Sequence, residues 1–235
     1  MRRALNYAVD RDVMITNVLN GYGSPAYSVS DGMPWASDDM IVKTDVAYAK
    51  AILEEGGWTL GSDGIYEKSG LRASFDLYYS SNDSVRQALA SEFSNQLKSV
   101  GIEVTIKGAG WDDLYPREFS DPVLWGWGSN SPTELYDLTY STGWGNFPAY
   151  ENKTVDAHLD AALAKTDFAD SYAEYKAAQW DGREGIAPQG AATWVWLANI
   201  DHLYFKRFGL QVADQKPHPH GHGWSLVNNI DQWSW

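Results

Sequence analysis

The chain has 235 residues, 44% of them hydrophobic and 21% charged, enough apolar content to bury a core and unlike the composition of a disordered segment. A net charge of −13 argues against nucleic acid and anionic membrane surfaces as partners, and no apolar run approaches the roughly 18 residues of a membrane-spanning helix. There is no cysteine, which excludes thiol catalysis and leaves the redox compartment open, whereas 12 Trp and 14 Tyr supply rings for a core or a ligand-stacking wall.

After Met1-Arg2-Arg3 the chain opens on a helical stripe, Ala4, Leu5, Ala8 and Val9. No leader-like continuous apolar segment precedes it, and a start inside a helix is what an excised fragment of a longer polypeptide predicts. Met14, Ile15, Val18 and Leu19 give a second helix, stopped at Gly21-Tyr22-Gly23. Residues 24–44, with Pro25 and Pro34, lack a period and read as a long loop. Asp45 caps a helix with Val46, Ala49 and Leu53 on its inner face, ending at Gly56-Gly57. Residues 63–70 form a hairpin-like stretch between turn residues.

Phe75, Leu77 and Tyr79 alternate with Ser74, Asp76 and Tyr78, the signature of a strand over 73–80. Ser81-Asn82-Asp83 supplies caps for an amphipathic helix over about 84–99, with Val85, Leu89, Phe93 and Leu97 four apart. Gly101 stops it, and Ile102, Val104 and Ile106 make the next strand. Strand, helix and strand in some 35 residues is the length of a right-handed crossover joining parallel strands. A short strand is expected over 122–128, followed by a polar loop from Ser129 to Glu151. Val155, Leu159 and Leu163 mark a helix, and Tyr172, Tyr175 and Ala178 another over about 169–181. Thr193 to Ile200 reads as a buried strand, with Leu203 and Phe205 as its continuation or partner. From Gln211 the tail is irregular.

Nucleophile-elbow, phosphate-loop and zincin motifs are missing. The acidic pairs Asp38-Asp39, Glu54-Glu55 and Asp112-Asp113 are neighbours whose side chains diverge, so they read as solvated faces and not as paired catalytic acids. The reading is therefore not that of an enzyme. His218, His220 and His222 stand at alternate positions among Pro and Gly, a candidate site for nickel, copper or zinc. The ordinary alternative is a turn-rich tail whose histidines bond to neighbouring backbone or are exposed. Trp125-Gly126-Trp127-Gly128 places rings beside bare backbone at the end of an expected strand, where a ligand can stack and approach the main chain. The alternative is that both rings fill the core and the glycines make a bulge.

Arg3-Ala4-Leu5-Asn6-Tyr7-Ala8-Val9-Asp10-Arg11-Asp12, running on to Asn20-Gly21-Tyr22-Gly23, resembles a segment of the family 5 solute-binding proteins, the peptide- and nickel-binding components of ABC importers. Ala49-Lys50 to Gly56-Gly57-Trp58 followed by Asp63-Gly64-Ile65, the step Val100-Gly101-Ile102-Glu103-Val104, and the Asn152–Asp160 region are similar to further segments of that family, in order. The resemblance implies an α/β, periplasmic-binding-protein-like (type II) lobe with a mixed sheet flanked by helices and an irregular C-terminal tail. Residues 1–206 would be the second lobe of a two-lobed protein, and 207–235 would return to an absent first lobe.

It further implies capture of an oligopeptide, dipeptide or metal chelate for an ABC permease, by an extracytoplasmic lipoprotein with no span of its own. No cofactor is expected, and nickel or another transition metal enters only as transported ligand. Peptide binders of the family carry an Asp in the loop matching Trp125 to Pro132, where it pairs with the peptide's amino terminus. Here that place holds Gly128 or Ser129-Asn130, with Glu134 and Asp137 just beyond. The expected ligand contacts are Trp125, Trp127, Gly128, Ser129, Asn130, Glu134, Asp137 and Trp144. A carbohydrate-binding module or carbohydrate-active enzyme is the competing reading of so many Trp and acidic residues.

Overall fold

The computed structural model describes residues 1–128, 130–215, 227 and 229–235. Two helices open the chain, α1 (Arg2–Ala8) and α2 (Arg11–Leu19), parted by the extended Val9. Asp10 caps α2 by accepting from the Val13 N–H at 2.9 Å, and α2 ends on Asn20 in the left-handed region. Strand β1 (Gly23–Pro25) follows, and then α3 (Val46–Glu55), whose first turn is capped by Asp45. A small antiparallel sheet of β2 (Thr59–Leu60), β3 (Tyr66–Lys68) and β4 (Leu71–Arg72) turns back at Ser69-Gly70, both with positive φ.

The crossover expected from the pattern is present. Strand β5 (Ser74–Ser80) and β6 (Glu103–Ala109) pair in parallel, Ser74 opposite Glu103 through Ser80 opposite Ala109, joined by α4 (Ser84–Val100). Asp83 caps α4, and Gly101 ends it at φ 86°. The short α5 (Trp111–Leu114) comes next, then α6 (Pro132–Thr139), α7 (Lys153–Leu163), α8 (Tyr172–Gln179) and β7 (Ala198–Ile200).

The fold is α/β, and among the described residues its strands are shared among three small sheets flanked by helices. Two clusters of buried side chains hold these residues together. One joins α1 to α4 with β5 and β6 through Met14, Leu53, Leu97 and Ile102. The other packs Trp35 and Met40 against Leu135, Leu159 and Tyr175 of α6, α7 and α8. Residues 24–44 are thus a loop with buried contents. Gln179, wholly buried, ties them down: its amide nitrogen donates to Trp35 O at 2.8 Å and its oxygen accepts from Ser28 Oγ at 3.1 Å.

Several expectations are corrected. Val46, Val85 and Leu163 are exposed, and each stands in the first or last turn of its helix. Only Val123 of the expected 122–128 strand bridges β5, at Tyr78. The region 129–151 is not all loop: Ser131 caps α6, Pro132 takes its first turn and Leu135 and Leu138 its buried face.

Strand β7 covers only the last three residues of the expected 193–200 strand, antiparallel to β1. Upstream of it, side chains take the carbonyls that a neighbouring strand would have taken. Arg2 Nε donates to Ala192 O at 3.1 Å, Asn6 Nδ2 to Trp194 O at 3.0 Å, and Arg11 Nε to Trp196 O at 2.9 Å. Leu203 and Phe205 do not extend it; both are exposed, Phe205 at 96%.

Candidate functional site

Where the chain leaves β5's neighbour at Val123, it runs without ladder bonds through Trp125-Gly126-Trp127-Gly128, and rings gather around it. Trp111 of α5 meets Trp125 edge-on at 5.2 Å between centroids, and Trp127 lies 5.9 Å beyond Trp125. Phe147 sits 5.5 Å from Trp125 and 5.9 Å from Trp127. Trp194 stands edge-on to Trp127 at 6.2 Å, and Trp196 is 5.6 Å from Trp194. These separations lie in the contact range of aromatic pairs. The central rings are half-buried, while Tyr115, Phe119 and Trp144 are exposed, Trp144 at 61%. The indole N–H groups of Trp127 and Trp194 are buried without a hydrogen-bond partner among the described residues.

Two of the rings come from a turn built around one buried amide. Asn146, 4% exposed, donates to Tyr140 O at 3.2 Å and Tyr150 O at 2.8 Å, and its oxygen accepts from the Tyr150 N–H at 3.1 Å. The turn also presses on α6: a Cβ at Gly143 would lie 2.2 Å from Asp137 O, so only glycine fits there. Phe147 and Trp144 are thereby fixed against Trp127, at 5.9 and 5.6 Å.

Charge enters from two sides. Arg86 of α4 places its guanidinium 5.5 Å from the centre of the Trp111 ring and pairs with Asp83 at 3.3 Å. On α6, burial and the neighbouring Asp137 charge push the Glu134 carboxyl up to about 7. A group in that range changes protonation near neutrality.

Of the residues singled out from sequence, Trp125, Trp127 and Trp144 join this cluster, and Gly128 follows directly on Trp127. Glu134 and Asp137 lie on α6, whose backbone backs the turn carrying Trp144. Asn130 instead lines an open hollow of about 490 Å³ with Tyr27, Asp31, Ile41 and Asn199. Ser129 and the three histidines 218, 220 and 222 lie outside the described residues. Among the described residues no group of three or more His, Asp or Glu side chains is placed to hold a metal ion. Reasoning from sequence overlooked Trp111, Phe147 and Trp194. A signal existed for one: Gly143-Trp144-Gly145-Asn146-Phe147 repeats the Trp-Gly alternation of 125–128.

The fold is that of the type II periplasmic binding proteins. Residues 1–148 match the family described as "Bacterial extracellular solute-binding proteins, family 5 Middle", and the chain belongs to that family. It is 40% identical over 213 residues to Protein XP55 of Streptomyces lividans, covering 87% of this chain and 38% of that protein. It is 30% identical over 189 residues to the oligopeptide-binding protein AppA of Bacillus subtilis, covering 75% of this chain and 35% of AppA. The crystal structure of NikZ from Campylobacter jejuni in complex with Ni(L-His) superposes with a TM-score of 0.79 at 24% identity, over all of this chain and 48% of NikZ. The chain thus spans less than half the length of each of these relatives. The family is one of solute-binding proteins and not of enzymes, and these relatives lend no support to the carbohydrate alternative.

Proposed function

We propose that this chain is the solute-gripping lobe of an ABC importer's extracytoplasmic binding protein, with the aromatic cluster as the wall against which the solute lies. The observation that carries the reading is the gathering of Trp111, Trp125, Trp127, Phe147 and Trp194 at one surface rimmed by exposed rings. A monomeric core gains nothing from leaving indoles half in water, whereas a ligand wall does. Residues 1–206 form the lobe, and 207–235 return toward a first lobe supplied by the rest of the polypeptide. The second lobe and the first close on the solute, which is then passed to the permease. A lipid anchor would hold the whole protein at the outer face of the membrane.

Of the contacts expected from sequence, Trp125, Trp127 and Trp144 belong to the wall in this reading, with Gly128 next to Trp127, Asn130 in the hollow beside Tyr27, and Glu134 and Asp137 as the nearby acids. AppA is an oligopeptide-binding protein and NikZ was crystallised with Ni(L-His). Short peptides and nickel chelates are therefore the first solutes to test. With Gly128 or Ser129-Asn130 in place of the acid of peptide binders, a free α-amine loses a charge-assisted contact worth about 1.5–3 kcal/mol. Calorimetry with the polypeptide at the length of its relatives, against di- to nonapeptides and Ni(L-His), tests the reading. One class should bind tightly to the two-lobed protein and far more weakly to this chain alone, because half the enclosing wall is then missing. Nanomolar binding by this chain alone would overturn the two-lobe picture.

A further inference from the structure

We infer that Arg86 forms an anion subsite on the aromatic wall, and that the solute taken there is a flat, ring-bearing carboxylate. The inference rests on the wall being the solute-binding surface.

Arg86 stands in the first turn of α4 and is held from one side. The Asp83 carboxylate accepts from the Arg86 backbone N–H at 2.9 Å through one oxygen and pairs with Nη1 at 3.3 Å through the other. That grip fixes a long side chain whose rotamer freedom would otherwise be lost on binding. The guanidinium then extends over the Trp111 ring. Its second amino group, Nη2, faces Gly126, where an added Cβ would stand 2.7 Å away. Gly126 thus leaves room for the guanidinium where it stands, beside the segment that carries Trp125 and Trp127.

The consequence is a planar donor edge beside ring faces. A carboxylate matches the fork of a guanidinium, and an indole wall matches the flat body that carries it. With its side chain 24% exposed, Arg86 is reachable yet only partly screened by water. Arg117 lies over the Tyr78 ring and pairs with Asp121 at 3.2 Å, and the acids Glu134 and Asp137 belong to α6, behind the Trp144 turn. Position 128 holds no acid to attract an amine. The recognised end of the solute is therefore its anion, and the specificity differs in sign from capture of a peptide by its amino terminus.

The test titrates this chain with phenylacetate and with its neutral amide, phenylacetamide, up to roughly 50 mM at constant ionic strength, reading tryptophan emission excited at the red edge. The acid should saturate at about tenfold lower concentration than the amide. Arg86→Gln should bring the acid's response to the level of the amide, and Arg86→Lys, which keeps the charge and loses the fork, should fall between. Thermal melts check that each variant folds. Equal saturation by acid and amide, both lost in Phe147→Ala, removes the anion subsite and leaves the wall. No saturable response to either probe removes both. An acid preference that survives Arg86→Gln assigns the anion to another group and overturns the inference.

Discussion

Replacing Arg11 tests whether side chains really stand in for a missing strand. Arg11 is 3% exposed, and its guanidinium donates to Ala26 O at 2.8 Å, Trp196 O at 2.9 Å and Asn6 O at 3.2 Å, with the Tyr27 ring 4.9 Å from its carbon. Truncation to Ala strands three carbonyls, two of them buried and one half-buried, at about 1–3 kcal/mol each. Part of this is offset, because burial of the charge is itself unfavourable: it pulls the Arg11 pKa down to about 10. The net loss should be about 3–5 kcal/mol, most of it from the stranded carbonyls. For a chain of this size that is on the order of a 10 °C drop in Tm.

Urea unfolding followed by far-UV circular dichroism measures the loss, and near-UV circular dichroism should change as well, since Trp194 and Trp196 ride on the released segment. Arg11→Met, which fills the volume and leaves the carbonyls bare, should lose nearly as much as Arg11→Ala. If Arg11→Met were within about 1 kcal/mol of the parent, the carbonyls would not need their donor and the reasoning would fail.

Glu134 makes stability depend on pH. Its folded pKa of about 7 stands above the unfolded value, so the folded state holds the extra proton between roughly pH 4.5 and 7. Stability from this group is therefore full below pH 4.5, falls as pH rises through 7 and is flat above. Discounted for its exposed half, the fall is on the order of 1 kcal/mol, and chemical denaturation at a series of pH values should show that slope vanish in Glu134→Gln. Gln179→Leu leaves Trp35 O and the Ser28 hydroxyl without their buried partner and should cost about 2–4 kcal/mol in a urea titration. Phe147→Ala removes the ring common to Trp125, Trp127 and Trp194, and tryptophan emission should shift to the red with a stability loss of about 2–4 kcal/mol. Nickel titrated into the parent and a His220→Ala, His222→Ala variant tests the histidine run; equal weak binding by both would dispose of a metal site there.

Local chemistry decided what could be read without coordinates. Asp10, Asp45 and Asp83 each accept from the N–H three residues on, and Asn20 and Gly101 close helices in the left-handed region, so the sequence neighbourhood alone writes these boundaries. The crossover of β5, α4 and β6 was legible because period two and period near four alternate within it. Trp125, Trp127 and Trp144 stood out by their glycine neighbours. The family was legible too, since its segments recur in order along the chain.

Long-range partners decided the rest. Nothing near Trp194 says that Asn6 and Arg11, some 185–188 residues earlier, take the place of a strand beside it. The period of 193–200 therefore suggested a ladder that does not form. Phe147 and Trp111 become wall residues only because a turn closed by Asn146 and the end of β6 deliver them to Trp125. Gly126 looked like a gap beside the rings and proves to be the space that a guanidinium occupies. Capping and periodicity act over a few residues and are written in the sequence; which rings, carbonyls and charges meet depends on contacts between distant segments, and only the packed chain settles it.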